Sequence, residues 1–495
     1  SLAPHKSEEY LTSETDEWRD SVPRYLGPGI SQKKTKTINN HDYGYILIRL
    51  DNSDSLVQLG RPVPQISDPD PGNHSIYICS SRSFGFTITG SHLVVEGFAQ
   101  INHFYSCFLM SAAIQTDITI RNCGGHPIHF GARCGLVDGL TFDSCKFYAH
   151  MPGETWWVAY ADIKAGDAPA DHVRKCGLDL GKATNVKVVS CVLEEFFDGI
   201  LASADYNDQG VLTAVAHDVE VHHTTFKNTW DDAWQMIGPL YHINFHHNFC
   251  FGAGPSVDAA GTDQENKDPG TVYIHHNVID TTTSLVFWGR GGFDGKGMYE
   301  SIPLSSHGSP DQHTWPRKLY YNTIVTGPNF ASYHPYVGWF LFGAKAQCSQ
   351  ARHEVYNNIF LVKDGRPGGR DFDAIRGREI YDGNVYWNYQ DFSPWRFLQT
   401  STETIDGNKG KLVTVTDLRN SQAFNDSQVY YPPGWESSGL SVSPRLDRGY
   451  RPRAASCQKG AVNLTKKCWP GTEKYEAWRG AINPKPLVRK KTAKK

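Results

Sequence analysis

The chain has no apolar run near the roughly 20 residues that a membrane-spanning helix needs. Its longest apolar stretches, Tyr43–Ile48 and Gly338–Phe342, are far shorter. It also lacks a surplus of either charge: 49 Lys and Arg face 52 Asp and Glu over 495 residues. A general nucleic-acid binder needs a basic face. The one basic block, Lys490, Lys491, Lys494 and Lys495, reads as a solvated tail. Neither a membrane nor a nucleic acid is therefore an expected partner. No HExxH, paired CxxC or P-loop is present, which removes the usual metalloprotease, zinc-ribbon and nucleotide signatures. Ser1-Leu2-Ala3-Pro4 carries no start Met and no apolar leader, as in a processed or trimmed chain.

What is present is an ordinary globular balance, 39% hydrophobic and 20% charged, so disorder is excluded. Aromatics are abundant, with 13 Trp and 24 Tyr, which suits a stacked core or a sugar-binding surface. Length alone suggests about three domains. A repeat overrides that estimate, because a repeat core grows along one axis.

The repeat is a short strand ending in a polar doublet and a small or amide residue. It reads Val221-His222-His223-Thr224, Phe245-His246-His247-Asn248, Ile274-His275-His276-Asn277, Leu319-Tyr320-Tyr321-Asn322 and Val355-Tyr356-Asn357-Asn358, with Asp382-Gly383-Asn384 as a weaker copy. Alternating apolar residues such as Val219/Val221 and Ile243/Phe245 precede the doublets, as in half-buried strands. Upstream, Cys123, Cys145 and Cys191 fill the final slot. The spacing is roughly two dozen residues, lengthened in places by insertions, as expected for coils of a β-solenoid. Equivalent residues then stack about 4.8 Å apart. A stacked Asn at a tight turn can hydrogen-bond its neighbours above and below and accepts left-handed backbone geometry.

The expected fold is therefore all-β, a right-handed parallel β-helix of about ten or more coils, the hand following from parallel crossovers. Residues 1–42 read as an N-terminal arm or cap, 43–390 as the β-helix and 391–495 as a tail packing on it. Cys79, Cys107, Cys123, Cys145, Cys191 and Cys250 sit in apolar context and are expected in the core. Disulfide pairing of Cys457 with Cys468 stays open.

Asn- and Cys-ending rungs of this kind resemble the pectate-lyase-like β-helix superfamily. That superfamily holds polysaccharide lyases, glycoside hydrolases, alginate epimerases and phage tailspikes, so the resemblance implies the fold and leaves several chemistries open.

A second column precedes the doublets by half a turn. It aligns Ile128, Ile200, Trp234 and Val257 pointing inward with His129, Leu201, Gln235 and Asp258 pointing outward onto a groove. Asp198 on one coil and Asp231-Asp232 on the next could stack, and clustered carboxylates need protons or a hard cation such as Ca²⁺. The arrangement looks like the calcium site of family-nine pectate lyases, with Gln235 standing where a further carboxylate is expected. The competing reading makes these Asp residues turn formers. Arg290, after groove residue Trp288, is the candidate for neutralising a substrate acid or taking a proton, with Lys267 as a second base; ordinary surface ion pairs are the competing reading. Asp231 or Asp232 with Asp258 would serve an inverting hydrolase. His126 and His129 break the pattern on the groove side and are candidates for sugar contact or catalysis. Trp156, Trp157 and Tyr160, in the 151–172 insertion, suit sugar stacking or simple packing. The periodic histidines read as a structural ladder before they read as metal ligands.

The expected activity is cleavage of an acidic polysaccharide or oligosaccharide by β-elimination, in a secreted or periplasmic protein. An inverting hydrolase and a non-catalytic glycan-binding solenoid are the alternatives.

Overall fold

The computed structural model describes the short strands within 3–49, residues 84–149 and 176–282 apart from short connections, and 304–305, 317–326, 354–362, 380–388 and 415–483. Three parallel sheets carry the fold. The first has eight strands, from Phe84–Ile88 to Leu304–Ser305. The second has ten, from Leu93–Glu96 to Ile380–Asp382. The third has nine, from Gly124–Gly125 to Val385–Asn388. From Ser106 to Thr326, apart from the 204–215 hairpin, successive described strands visit the three sheets in turn, and each pairs in parallel with the equivalent strand one coil on. Among the described residues this is a parallel β-helix of ten coils, counted by the strands of the second sheet.

Period-2 patterning puts one apolar row inside the tube. Phe108, Leu178, Ile200 and Trp234 line the first sheet's inner face; Ile120, Phe142, Val188, Val221 and Phe245 line the second's; Phe147, Leu193, Phe226 and Cys250 line the third's, all fully buried. Cys107, Cys123, Cys145, Cys191 and Cys250 are buried free thiols as expected, and so are Cys134 and Cys176; Cys79 lies outside the described residues. Cys457 and Cys468 are both free, the first buried and the second exposed, so the open question of their pairing closes against a disulfide.

The slot column stacks as its spacing implies. The backbone N–H groups of Thr224, Asn248, Asn277, Asn322 and Asn358 each donate to the side-chain oxygen of the Asn one coil on, at 2.9–3.1 Å. Each of these Asn side chains returns an N–H to a carbonyl of the coil before, as from Asn277 to Phe245 and from Asn322 to Ile274. Cys145 and Cys191 make the same backward bond through sulfur, to Ile120 and Phe142. The left-handed backbone falls one residue earlier than expected: Asn122, Ser144, Ser190, His223, His247, His276, Tyr321 and Asn357 all have φ of 51–56°. That turn frees the slot residue to point inward.

The tail closes the last coil. Leu440 adds to the third sheet through Val385 and through a bond from Tyr386 N–H, while short helices span Val415–Arg419 and Gln422–Gln428. Glu436 supplies the missing next rung, accepting from the Asn384 backbone N–H (3.1 Å), its side-chain amide (2.6 Å) and the Tyr386 hydroxyl (2.6 Å). Arg479, 3% exposed, donates to the carbonyls of Gly383, Ser438, Ser456, Lys459 and Gly460, stitching the tail to that coil. The tail also runs back over earlier coils, where Tyr450 bonds Asp280 and Tyr320 bonds the Pro470 carbonyl.

The start of the coils differs from the sequence expectation. Residues 41–49, counted largely as the first coil, instead pair antiparallel with Gly29–Ile38 in a separate three-stranded sheet. Alternation identifies a strand but does not name its partner. The first described coil strand is Phe84–Ile88.

Two tests follow from the ladder. Removing one side chain strands buried groups on both neighbouring coils, at roughly 1–3 kcal/mol each. Asn277→Ala should therefore lower the denaturation midpoint more than Cys145→Ala, whose sulfur gives only a weak donor; equal losses would contradict the ladder. Burial, helped by repulsion from Asp382, pushes Glu436 up to about 7. Its folded value lies above the unfolded one, so its contribution to stability is full below the unfolded value of about 4.3 and is lost as pH rises through about 7. Melts across that window should show stability falling, and Glu436→Gln should flatten the fall.

Candidate functional site

The outer face of the first sheet is fixed by register. Leu109, Arg133, Asp179, Leu201 and Gln235 occupy one outward column, each opposite the next on neighbouring coils, and the Asp258 backbone continues that register. Just before this column the backbones approach so closely that a Cβ at Gly177 would run into the Gly199 carbonyl, and one at Gly199 into that of Ala233. Glycine is the residue that permits this packing.

Arg133 and Asp179 form the charged centre of the described part of the face. The Arg133 Nε lies 3.6 Å from an Asp179 oxygen, with side chains 52% and 16% exposed. The other Asp179 oxygen accepts the Gly181 backbone N–H at 3.1 Å. Burial raises the Asp179 carboxyl above its usual range; the Gly181 bond and the Arg133 and Lys182 charges draw it partly back. The Arg133 guanidinium sits 5.5 Å from the Phe130 ring centre, and Tyr105 packs at 5.7 Å from that ring and 4.6 Å from the His129 ring. A fixed cation, a carboxyl held toward its neutral form and an aromatic surface thus meet on one open face.

Asp198 and Asp232 are one rung apart, as their spacing implies, but they are 3% and 0% exposed. One Asp198 oxygen accepts the Asp232 backbone N–H at 3.4 Å. Their seat is inside the wall between coils, which corrects their placement on the open groove; their position in the strand period does not set their depth. Asp231 lies outside the described residues, and among those described no third carboxylate joins the two to make an oxygen cage.

The histidine alignment was shifted. Phe130–Arg133 is the groove strand, so Ala132 and Arg133 occupy the places assigned to Ile128 and His129. His129, 8% exposed, precedes that strand and packs on Tyr105. His126 follows the third-sheet strand Gly124–Gly125, its N–H bonded to Asn102 and its ring 5.3 Å from Tyr148, so it is off the groove face. Gln235 keeps its expected outward place, half-buried, and Asp258 keeps its column by register. Asp232 and Asp258 are on adjacent coils but three residues apart along the strand, roughly 11 Å between backbones. Trp156, Trp157, Tyr160, Lys267, Trp288 and Arg290 lie outside the described residues.

Sequence reading missed Asp179 and Arg133. The signal was there: Gly177-Leu178-Asp179 matches Gly199-Ile200-Leu201 once the glycine, not the acidic doublet, sets the alignment.

The histidines of the second sheet form the ladder their period suggests. His222, His246, His275 and Tyr320 stack at 5.0, 4.8 and 4.7 Å, and His223, His247, His276 and Tyr321 at 5.2, 4.8 and 5.1 Å. Burial, reinforced by neighbouring imidazoles, holds His247 down at about 3 and His275 well below the usual range.

No protein-family model, curated protein or solved structure matches the chain.

Proposed function

We propose that this chain is a carbohydrate-active enzyme of the pectate-lyase-like type that cleaves an acidic polysaccharide by β-elimination along the outer face of its first sheet. The observation that carries the reading is the Arg133–Asp179 pair, set on a straight outward column beside an aromatic cluster. A polymer can lie along such a column, meeting one coil about every 4.8 Å. Arg133 offers a guanidinium to a uronate carboxylate, and its fork suits that group. Neutralising the acid makes the adjacent carbon-bound proton easier to remove. Asp179, raised above the usual carboxylate range by burial, is the carboxyl on this face that serves as the base. Asp179 takes the proton from the carbon, the electron pair of the broken C–H bond forms the carbon–carbon double bond, the glycosidic C–O bond breaks, and the protonated Asp179 returns that proton to the departing oxygen.

Spacing favours elimination over inverting hydrolysis. The next carboxylate along the column, Asp258, is three coils from Asp179, roughly 14 Å. Inverting pairs need about 6.5–9.5 Å. We give calcium no step in this reaction. A polymeric substrate of this kind puts the protein in the periplasm or outside the cell.

Incubation with uronate-containing and neutral polysaccharides, with and without chelator, tests the proposal. The expected result is an ultraviolet-absorbing unsaturated end from a uronate polymer, with or without chelator, lost in Asp179→Asn and Arg133→Gln while the thermal melt is kept. New reducing ends without unsaturation would mean a hydrolase, and binding without cleavage a glycan-binding solenoid. Full turnover in Asp179→Asn would remove the site.

A further inference from the structure

The histidine ladder stands on a different sheet from the carbohydrate face, and what it offers is independent of that reading. Within each pair the Nδ1 atoms face one another, at 2.9 Å for His222–His223 and 2.8 Å for both His246–His247 and His275–His276. Three of these rings have the other nitrogen tied to oxygen: His246 Nε2 to Glu220 (3.1 Å), His275 Nε2 to the Asn244 side-chain oxygen (3.0 Å) and His276 Nε2 to Glu476 (2.8 Å). A ring nitrogen facing an oxygen acceptor carries the proton, so the neutral ring presents a lone pair at Nδ1. At His275–His276 both rings are held this way. Two lone pairs then face each other across the seam, and such a contact calls for a positive charge between the columns.

One ring nitrogen from each of His246, His247 and His275 lies within 4.8 Å of the other two. Beside them, Gly471 of the tail crosses the ladder without a side chain; a Cβ there would stand 3.4 Å from His275 Nδ1. The nearest atom to that Cβ would be His275 Cε1 at 3.1 Å, so the tail backbone lies directly against this end of the ladder. The seam runs from the buried His275–His276 pair to an exposed His223, which gives an ion a way in.

We propose that this seam is a transition-metal site in which His246, His247 and His275 bind one divalent ion of the zinc, cobalt, nickel or copper class. Imidazole nitrogens suit these ions, whereas calcium and magnesium take oxygen. Glu220 and Asn244 orient the rings from behind, the usual task of a partner one bond removed from the metal. Metal–nitrogen bonds of about 2.0–2.1 Å put tetrahedral ligands roughly 3.3 Å apart. The 2.8 Å within a pair is near that distance, while the parallel His246 and His275 rings must tilt toward each other to close the 4.8 Å span of the group.

The test uses the full chain, stripped with chelator and titrated with Co²⁺ while visible absorption is followed. One equivalent should bind with a tetrahedral-type band, and one equivalent of Zn²⁺ should displace it. His247→Ala should abolish the band, Glu220→Gln should weaken binding by about tenfold or more, and His92→Ala should leave it intact. No band in the wild type, or a band that survives His247→Ala, overturns the proposal. Should His247→Ala fail to fold by circular dichroism, Glu220→Gln decides, and unchanged affinity in that variant overturns it.

Discussion

A coil of a solenoid turns three times, and every turn threatens to leave backbone amides and carbonyls between coils without partners. Unmet buried groups of that kind cost too much to tolerate in number. In this chain one column answers for the sharpest of those turns. From Thr224 to Asn384 each slot residue receives an N–H from the coil before through its side-chain oxygen, and each Asn returns an N–H to a carbonyl of that coil. The ladder needs a last acceptor, and Glu436 of the tail is that acceptor.

Other features follow from this column. Because the slot points in, the residue before it takes the left-handed turn and the one before that faces out, so both can vary without disturbing the core. The pair that faces away from the core is polar or small near the Cys rungs, histidine in the middle coils and tyrosine where the tail lies across it. Stacking at a rung's distance then turns single histidines into a continuous array, and the tail covers only its far end through Pro470, Gly471 and Glu476. The first sheet, on another side of the tube, keeps Arg133 in reach of solvent.

Much of this was legible because a solenoid writes its geometry as a period. The Cys, Thr and Asn slot could be read from spacing alone, and so could the stacked histidines. Depth was harder: Asp198 and Asp232 fall on the expected rungs, but they are buried, next to Gly199, whose backbone packs closely on the Ala233 carbonyl of the next coil. Register failed where alternation imitated a strand, at His126–Phe130, four residues early. Asp179 escaped notice because its strand, Cys176–Gly181, follows a long insertion and contains no acidic doublet. Strand partners also stay hidden, as the 41–49 hairpin shows. Glu436 could not have been found, since it reaches Asn384 across 52 residues of chain with no repeat to announce it.

Amide hydrogen exchange on the full chain tests the ladder most directly. The backbone N–H groups of Thr224, Asn248, Asn277, Asn322, Asn358 and Asn384 lie in turns, where exchange is ordinarily fast, yet side-chain oxygens one coil on bind each of them. They should stay protected as long as the central strand amides. Exchange as rapid as that of an unstructured amide would show that the coils are held together by apolar stacking without the ladder.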